Sequence, residues 1–199
     1  TLDLQWRGDL VRAKNTDTGE PLPRISPARL GATLPPNLFG GGIPAPLGDR
    51  IRERLGLAYT AHSTVDTGDV WANFVIHAVT TPDKLDALVS ATAGLLREQA
   101  TNIDPVHLER AKNQLIVSRV RAGERTYAAM EQAVEELFAS ATVTPMAGAI
   151  AAIEDICAAE VQAVFERMLA NPPAVALTGK GASARTARQL AARLAAGCC

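Results

Sequence analysis

Two side chains in the stretch NLFGGGIPAPLGDRIRERLGLAY, residues 37–59, have the chemistry to hold a carbonyl group: Arg52 and Tyr59. A guanidinium and a phenol both donate hydrogen bonds, and two donors aimed at one oxygen bind it and stabilise negative charge on it. Arg52 falls in a short helical stretch and Tyr59 at the start of an extended one, with Gly56 between them to turn the chain. Such a turn can set both side chains on one rim. A solvated helix arginine and an interface tyrosine fit the same residues. The glycines Gly40, Gly41 and Gly42 also carry two readings: without Cβ atoms they permit a tight backbone path, or they form a surface that the backbone of another chain can approach closely.

Other chemistries lack their residues. His62, His77 and His107 are the only histidines, and none has another at a ligand spacing. Neither His-Glu-x-x-His nor His-x-x-Glu-His occurs, so the pattern that puts two zinc ligands and a general base on one helical face is missing. There is no Gly-x-Ser-x-Gly elbow. FGGGIPAPLG lacks the Gly-Lys-Ser/Thr of a phosphate loop. LTGKGAS, residues 177–183, lacks its spacing and reads as a strand end followed by a turn. Three cysteines without a spacing pattern do not make a disulfide framework. Cys157, in an apolar helical context, reads as a small core residue. Cys198 and Cys199 read as a disordered tail, or else as a reactive or lipidated end.

The elements that must position Arg52 and Tyr59 come from a chain of 199 residues, 47% hydrophobic and 21% charged, enough for one domain with a real core. Twenty Lys and Arg against 21 Asp and Glu give a net charge of −1, which argues against a nucleic-acid partner. No apolar run reaches the roughly 18 residues of a transmembrane helix. Aromatic residues are 4%, so the core must be built mainly from Ala, Leu, Val and Ile.

Residues 2–6 alternate and predict a strand. Residues 15–27, rich in Pro and Gly, read as loop. Residues 28–37 begin like a helix that Pro35 and Pro36 must stop. Leu47, Ile51 and Leu55 recur at four-residue steps and predict a helix over 47–54, with Gly56 as its C-terminal cap. Residues 57–65 and 70–80 read as two strands joined by a turn at 67–69. Val70, Ala72, Phe74, Ile76 and Ala78 lie on one face of the second, which makes an antiparallel hairpin.

Pro82, with Thr81 as N-cap, then opens a helix carrying Leu85, Leu88, Val89, Leu95 and Leu96. Asp104 caps a second helix with Pro105 in its first turn. A third spans 124–140, with Met130, Val134, Leu137 and Phe138 on one side. Two more follow over 144–156 and 158–171, then an apolar strand at 173–179 and a basic, Ala-rich helix at 183–196. Strands cluster and helices cluster, so the expected fold is α+β: a mostly antiparallel sheet with helices packed on one face.

Residues 37–59 resemble the segment of the insulinase/mitochondrial processing peptidase (pitrilysin-type) zinc metallopeptidase family that runs from a glycine triplet to Ile-Arg-Glu-x-x-Gly-Leu-Ala-Tyr. TGDVWANFVIHAVTTPDKLDALV is similar to that family's hairpin and following helix. IDPVHLERAKNQLIVS is similar to the segment where a Glu and an Ala-Lys pair open a long helix. IAAIEDICAAEVQAVFERMLANPPAVALTGKG is similar to its closing helix and last strand.

The resemblance spans about residues 37–181 and implies one unit of a two-unit, clam-shell peptidase. One unit of such a pair carries His-x-x-Glu-His and zinc. The other lacks the metal and completes the peptide chamber, with an Arg and a Tyr spaced as Arg52 and Tyr59 are against the substrate backbone. This chain is similar to the second kind. The expectation is therefore a non-catalytic, peptide-binding half that binds no cofactor itself and pairs as a heterodimer with a homologous zinc-bearing domain or subunit. The same resemblance implies an alternative, a structural core-type subunit of an assembly such as a respiratory cytochrome bc complex. Residues 1–36 depart from the family pattern, which sets a strand and an uninterrupted helix before the glycines. The expected division is a divergent region over 1–36, the peptidase-like domain over 37–181, and a C-terminal helix and tail over 182–199.

Overall fold

The computed structural model describes residues 1–8, 34–67 and 72–196. The loop expected at 15–27, the first part of the stretch 28–37, most of the turn at 67–69 and the Cys198-Cys199 tail lie outside them. Four strands form one antiparallel sheet: β1 (Leu2–Gly8), β2 (Thr60–Thr67), β3 (Ala72–Val79) and β4 (Ala174–Leu177). Their order is β2-β3-β1-β4, so β1 is paired on both sides. Leu2 lies opposite both Ala78 and Leu177, and Val65 lies opposite Phe74. Alternation in β3 turns Phe74, Ile76 and Ala78 inward, where all three are buried.

Helices α1 (Leu34–Gly40), α2 (Leu85–Thr101), α3 (Pro105–Gly123), α4 (Thr126–Ser140), α5 (Met146–Glu154), α6 (Ala158–Leu169) and α7 (Ala184–Ala196) complete the α+β fold, with helices packed on one face of the sheet. α1, α6 and α7 meet the strands, α2 lies over α6 and α7, and α3 packs on α1. Leu88, Val89, Leu95 and Leu96 of α2 and Val161 and Phe165 of α6 form the buried seam between the layers. At the centre, Phe39 of α1, Phe74 of β3 and Phe165 of α6 meet with ring centroids 5.9–6.0 Å apart, in tilted and edge-on pairs.

Several sequence expectations change. Pro35 and Pro36 do not stop a helix. They stand in the first turn of α1, where no intrahelical N–H partner is required and a fixed φ is an advantage. α1 therefore supplies a helix directly before the glycines. The helix expected at 47–54 is π-wound over Gly48–Arg54: the Leu55 amide bonds back to Arg50, 3.1 Å. Leu47 and Ile51 are buried as the spacing predicted, but Leu55 lies beyond the last turn and is half exposed.

β2 begins at Thr60, later than expected; β3 is described from Ala72, and residues 70 and 71 of the expected strand lie outside the described residues. Pro82 does open a helical turn, Pro82–Lys84, which runs into α2, although the Thr81 side chain makes no capping bond. Asp104 caps α3 as predicted, its Oδ1 accepting from the Val106 amide at 2.7 Å. Cys157 is not a core residue: it is exposed at the N-cap of α6. The apolar side of α4 is also not core, since Met130, Val134, Leu137 and Phe138 are all exposed.

Candidate functional site

The glycine run closes α1 and passes under the sheet edge. A Cβ on Gly40 would stand 2.5 Å from Ser63 Oγ and 2.6 Å from Ser63 N, so only glycine lets α1 approach β2 this closely. Ser63 completes the contact by donating to the Pro36 carbonyl, 2.8 Å. The Gly41 amide donates to the Asn37 carbonyl at 3.0 Å, ending the helix. Gly42 then takes φ +143°, and its carbonyl accepts from the Ala45 amide, 3.1 Å. Gly40 and Gly41 thus serve a tight path within the chain. Gly42 and Ile43 are exposed.

From there the π-wound segment sets three arginines. Arg54 pairs with Asp49 at 2.7 Å and Arg50 with Glu98 of α2 at 3.3 Å. Both are drawn into ion pairs with residues outside their own neighbours in sequence. Arg52 pairs only with the adjacent Glu53, 3.3 Å, between two half-exposed side chains. Such a pair is worth little and is easily exchanged for another partner. Of the three guanidiniums, Arg52 is the least committed.

The turn between Arg52 and Tyr59 is fastened at several points. Gly56 has φ +55°, the left-handed conformation of a helix C-terminus. The Leu57 amide reaches back to the Ile51 carbonyl, 2.8 Å. Lys84 Nζ donates to the Gly56 carbonyl at 2.9 Å, and Thr80 Oγ1 donates to the Leu57 carbonyl at 2.5 Å. The Tyr59 amide joins the Val79 carbonyl, 2.9 Å. Tyr59 therefore leaves a rigid turn at the head of an edge strand, and its side chain is 82% exposed. Among the described residues its hydroxyl makes no hydrogen bond, and Arg52 and Tyr59 are not bonded to each other. Both lie on a solvent-facing stretch, Arg52 paired with Glu53 and Tyr59 exposed.

Sequence reasoning missed Thr80 and Lys84, the side chains that hold this turn. Nothing local marks them, because they act across the hairpin. It also missed a polar cleft of about 310 Å³ beside the segment, lined by Asp49, Arg50, Arg54, Glu98, Asn102 and His107 among others.

His62 and His77 face each other across β2 and β3 with ring centroids 5.0 Å apart, and His77 Nε2 lies 3.6 Å from Asp3 Oδ1. Among the described residues no group of three or more His, Cys, Asp or Glu side chains could hold a metal ion. The donor set of a zinc centre is not present in them. No helix of the described residues is long and apolar enough to cross a membrane.

Residues 29–115 match the family model described as the peptidase M16 inactive domain. A protein of Rickettsia felis described as an uncharacterized zinc protease is 34% identical over 88 residues, which are 44% of this chain and 21% of the relative. The chain thus matches about a fifth of the length of that relative. Among solved structures, the peptidase M16 inactive domain from Pseudomonas fluorescens superposes with a TM-score of 0.63 at 16% identity, covering 82% of this chain and 37% of that one. A chain of complex III2 from Candida albicans superposes with a TM-score of 0.70 at 11% identity, covering 96% of this chain and 46% of that one. At these identities the superpositions speak to the fold alone. The matched segment contains the glycine run, Arg52, Tyr59 and the capped start of α3, and over residues 29–115 the chain is similar to the peptidase M16 inactive domain.

Proposed function

We propose that this chain is the metal-free, substrate-binding half of a zinc metallopeptidase, completing the peptide chamber of a zinc-bearing companion domain or subunit. The observation that carries the reading is the fastened turn over residues 55–59, which presents Arg52, held only by an exposed pair with Glu53, and an exposed Tyr59 within the segment matched by the inactive-domain model. Zinc and the hydrolytic chemistry belong to the companion. The role of this chain is to bind and orient. Arg52 and Tyr59 donate to carbonyl groups of an extended peptide, and holding a peptide in the reactive geometry contributes large factors in rate. β2 is an edge strand that begins one residue after Tyr59, so the same peptide can add to the sheet through main-chain hydrogen bonds. The glycines 40–42 set this rim against the sheet, and residues 37–181 form the unit responsible.

The test is reconstitution with an M16 unit that carries the zinc motif, followed by peptide cleavage. The chain alone is silent. In the pair, Arg52→Ala lowers kcat/KM by about 100–1,000-fold, the scale for losing one well-placed donor, and Tyr59→Phe lowers it less. Both variants keep their circular dichroism and unfolding midpoint. Full activity of Arg52→Ala overturns the assignment of Arg52.

A second reading is a structural core-type subunit, since a complex III2 chain shares this fold over 96% of the chain. Affinity capture of the native partner separates the two. A zinc-motif partner supports the peptidase reading, and a membrane respiratory complex supports the scaffold.

A further inference from the structure

We propose that the polar cleft between the π-wound segment, α2 and α3 is a binding site for a small primary amine, which it holds by the ammonium group. At about 310 Å³ the cleft has the size of a small-ligand site. Three elements wall it. The π-wound segment gives Asp49, Arg50 and Arg54, the end of α2 gives Glu98 and Gln99, and the start of α3 gives Asp104 and His107. Arg52 and Tyr59 do not line it, so the site is separate from the rim they form.

What the cleft lacks is a hydrogen-bond donor. Gln99 is only 7% exposed, and its Oε1 is buried without a partner. His107 Nδ1 is buried without a partner as well. Asp104 gives Oδ1 to the Val106 amide, and its other oxygen takes no hydrogen bond among the described residues. Amide and carboxylate oxygens only accept, and a neutral imidazole accepts at one nitrogen. Buried polar atoms without partners are rare in folded proteins. The arginines on the wall do not meet the need, because each already has a carboxylate: Arg54 has Asp49 at 2.7 Å and Arg50 has Glu98 at 3.3 Å. Three carboxylates against two guanidiniums leave the lining with one net negative charge, which falls to Asp104. The missing group is therefore a cation that donates several hydrogen bonds. An ammonium group has three donors and no acceptor, matching in number Gln99 Oε1, His107 Nδ1 and the Asp104 carboxylate.

Other occupants fit these walls less well. A bare metal ion finds no group of three or more His, Cys, Asp or Glu side chains to hold it among the described residues. An anion meets the net negative charge. A covering chain, whether of a companion unit or of the same polypeptide, needs an apolar centre to its contact. None of the large hydrophobic side chains exposed among the described residues lines this cleft.

The experiment is a nuclear magnetic resonance titration of the full chain with n-propylammonium, read at the His107 ring and the Gln99 side-chain amide. Both signals shift saturably at roughly millimolar concentration, within the reach of so small a ligand. Asp104→Asn removes the charge but keeps a residue that caps α3, and Gln99→Met removes the buried acceptor at similar size. Each weakens binding about tenfold or more, while Asp3→Asn changes nothing. Arg52→Ala binds the amine like the wild type, so this result and the cleavage assay fail independently. Absence of a saturable shift overturns the proposal. So does an equal response to tetramethylammonium, which has the charge without the donors, or tighter binding of acetate. Full binding by Gln99→Met and Asp104→Asn overturns it too. Shifts at His107 and Gln99 that appear only on adding a zinc-bearing M16 unit overturn it in favour of a side chain of that unit.

Discussion

Lys84 donates to the carbonyl of Gly56 across 2.9 Å, so the turn ahead of Tyr59 is tied to the helical turn that opens α2. The bond is exposed and adds little to global stability, about 1 kcal/mol or less. Its effect is local. Lys84→Met should speed amide hydrogen exchange at Leu57 and Tyr59 while leaving the urea midpoint nearly unchanged. In the reconstituted pair it should raise KM before it lowers kcat.

Gly40 faces a contest between two effects that its packing decides. Alanine in a helix gains about 1 kcal/mol over glycine. Its Cβ, however, meets Ser63 backbone and side chain at 2.5–2.6 Å, too close for either to yield cheaply. Gly40→Ala should therefore destabilise, by about 1–3 kcal/mol net in urea unfolding, the cost of overpacking a filled site. A stabilised variant would show that α1 can lift off β2.

Phe165 joins two other rings and has no exposed surface. Phe165→Ala should cost about 3–5 kcal/mol, and Phe165→Leu clearly less. Against the roughly 5–15 kcal/mol that holds a domain folded, the alanine variant is close to the limit. Thermal unfolding of the two variants side by side measures the difference.

Glu136 supplies a pH dependence. Burial opposes its charge, but the Thr144 amide, the Arg119 guanidinium and the Gln132 side chain together hold its carboxyl below the usual glutamate value. A group depressed in the folded state contributes stability that is complete above its unfolded pKa, about 4.3, and is lost as pH falls through the lower folded value. The melting temperature should therefore fall on acidification below about pH 4.3. Glu136→Gln should be less stable at pH 7 and show a shallower decline through that acid range.

Most local features were legible because their causes are local. Asp104-Pro105 announces the start of α3, and the alternation of Phe74, Ile76 and Ala78 announces an inward strand face. Arg52, Gly56 and Tyr59 could be singled out because they lie within eight residues of one another. What escaped depends on distant parts of the chain. The π winding after Leu47 reflects the demand to bury Ile51 and still deliver Leu57 to the hairpin. The aromatic trio draws its members from positions 39, 74 and 165. The side chains of α4 have the period of a core helix, yet that helix packs on α3 and leaves its stripe outside. Periodicity identifies a face to be covered, but not whether this chain covers it.

The strand order has a consequence for how the molecule comes to be. β2 and β3 are neighbours in sequence and can zip as a hairpin on their own. β1 must wait for a partner about 70 residues downstream on one side and about 170 on the other. Loops that long are slow to close, so folding should be limited by the capture of β1 rather than by helix formation. On a ribosome, residues 2–8 emerge before β3 and β4 and lack these two partners until β3 and then β4 have left the tunnel. Of the two interior strands, β1 is thus the one longer exposed to the wrong partner.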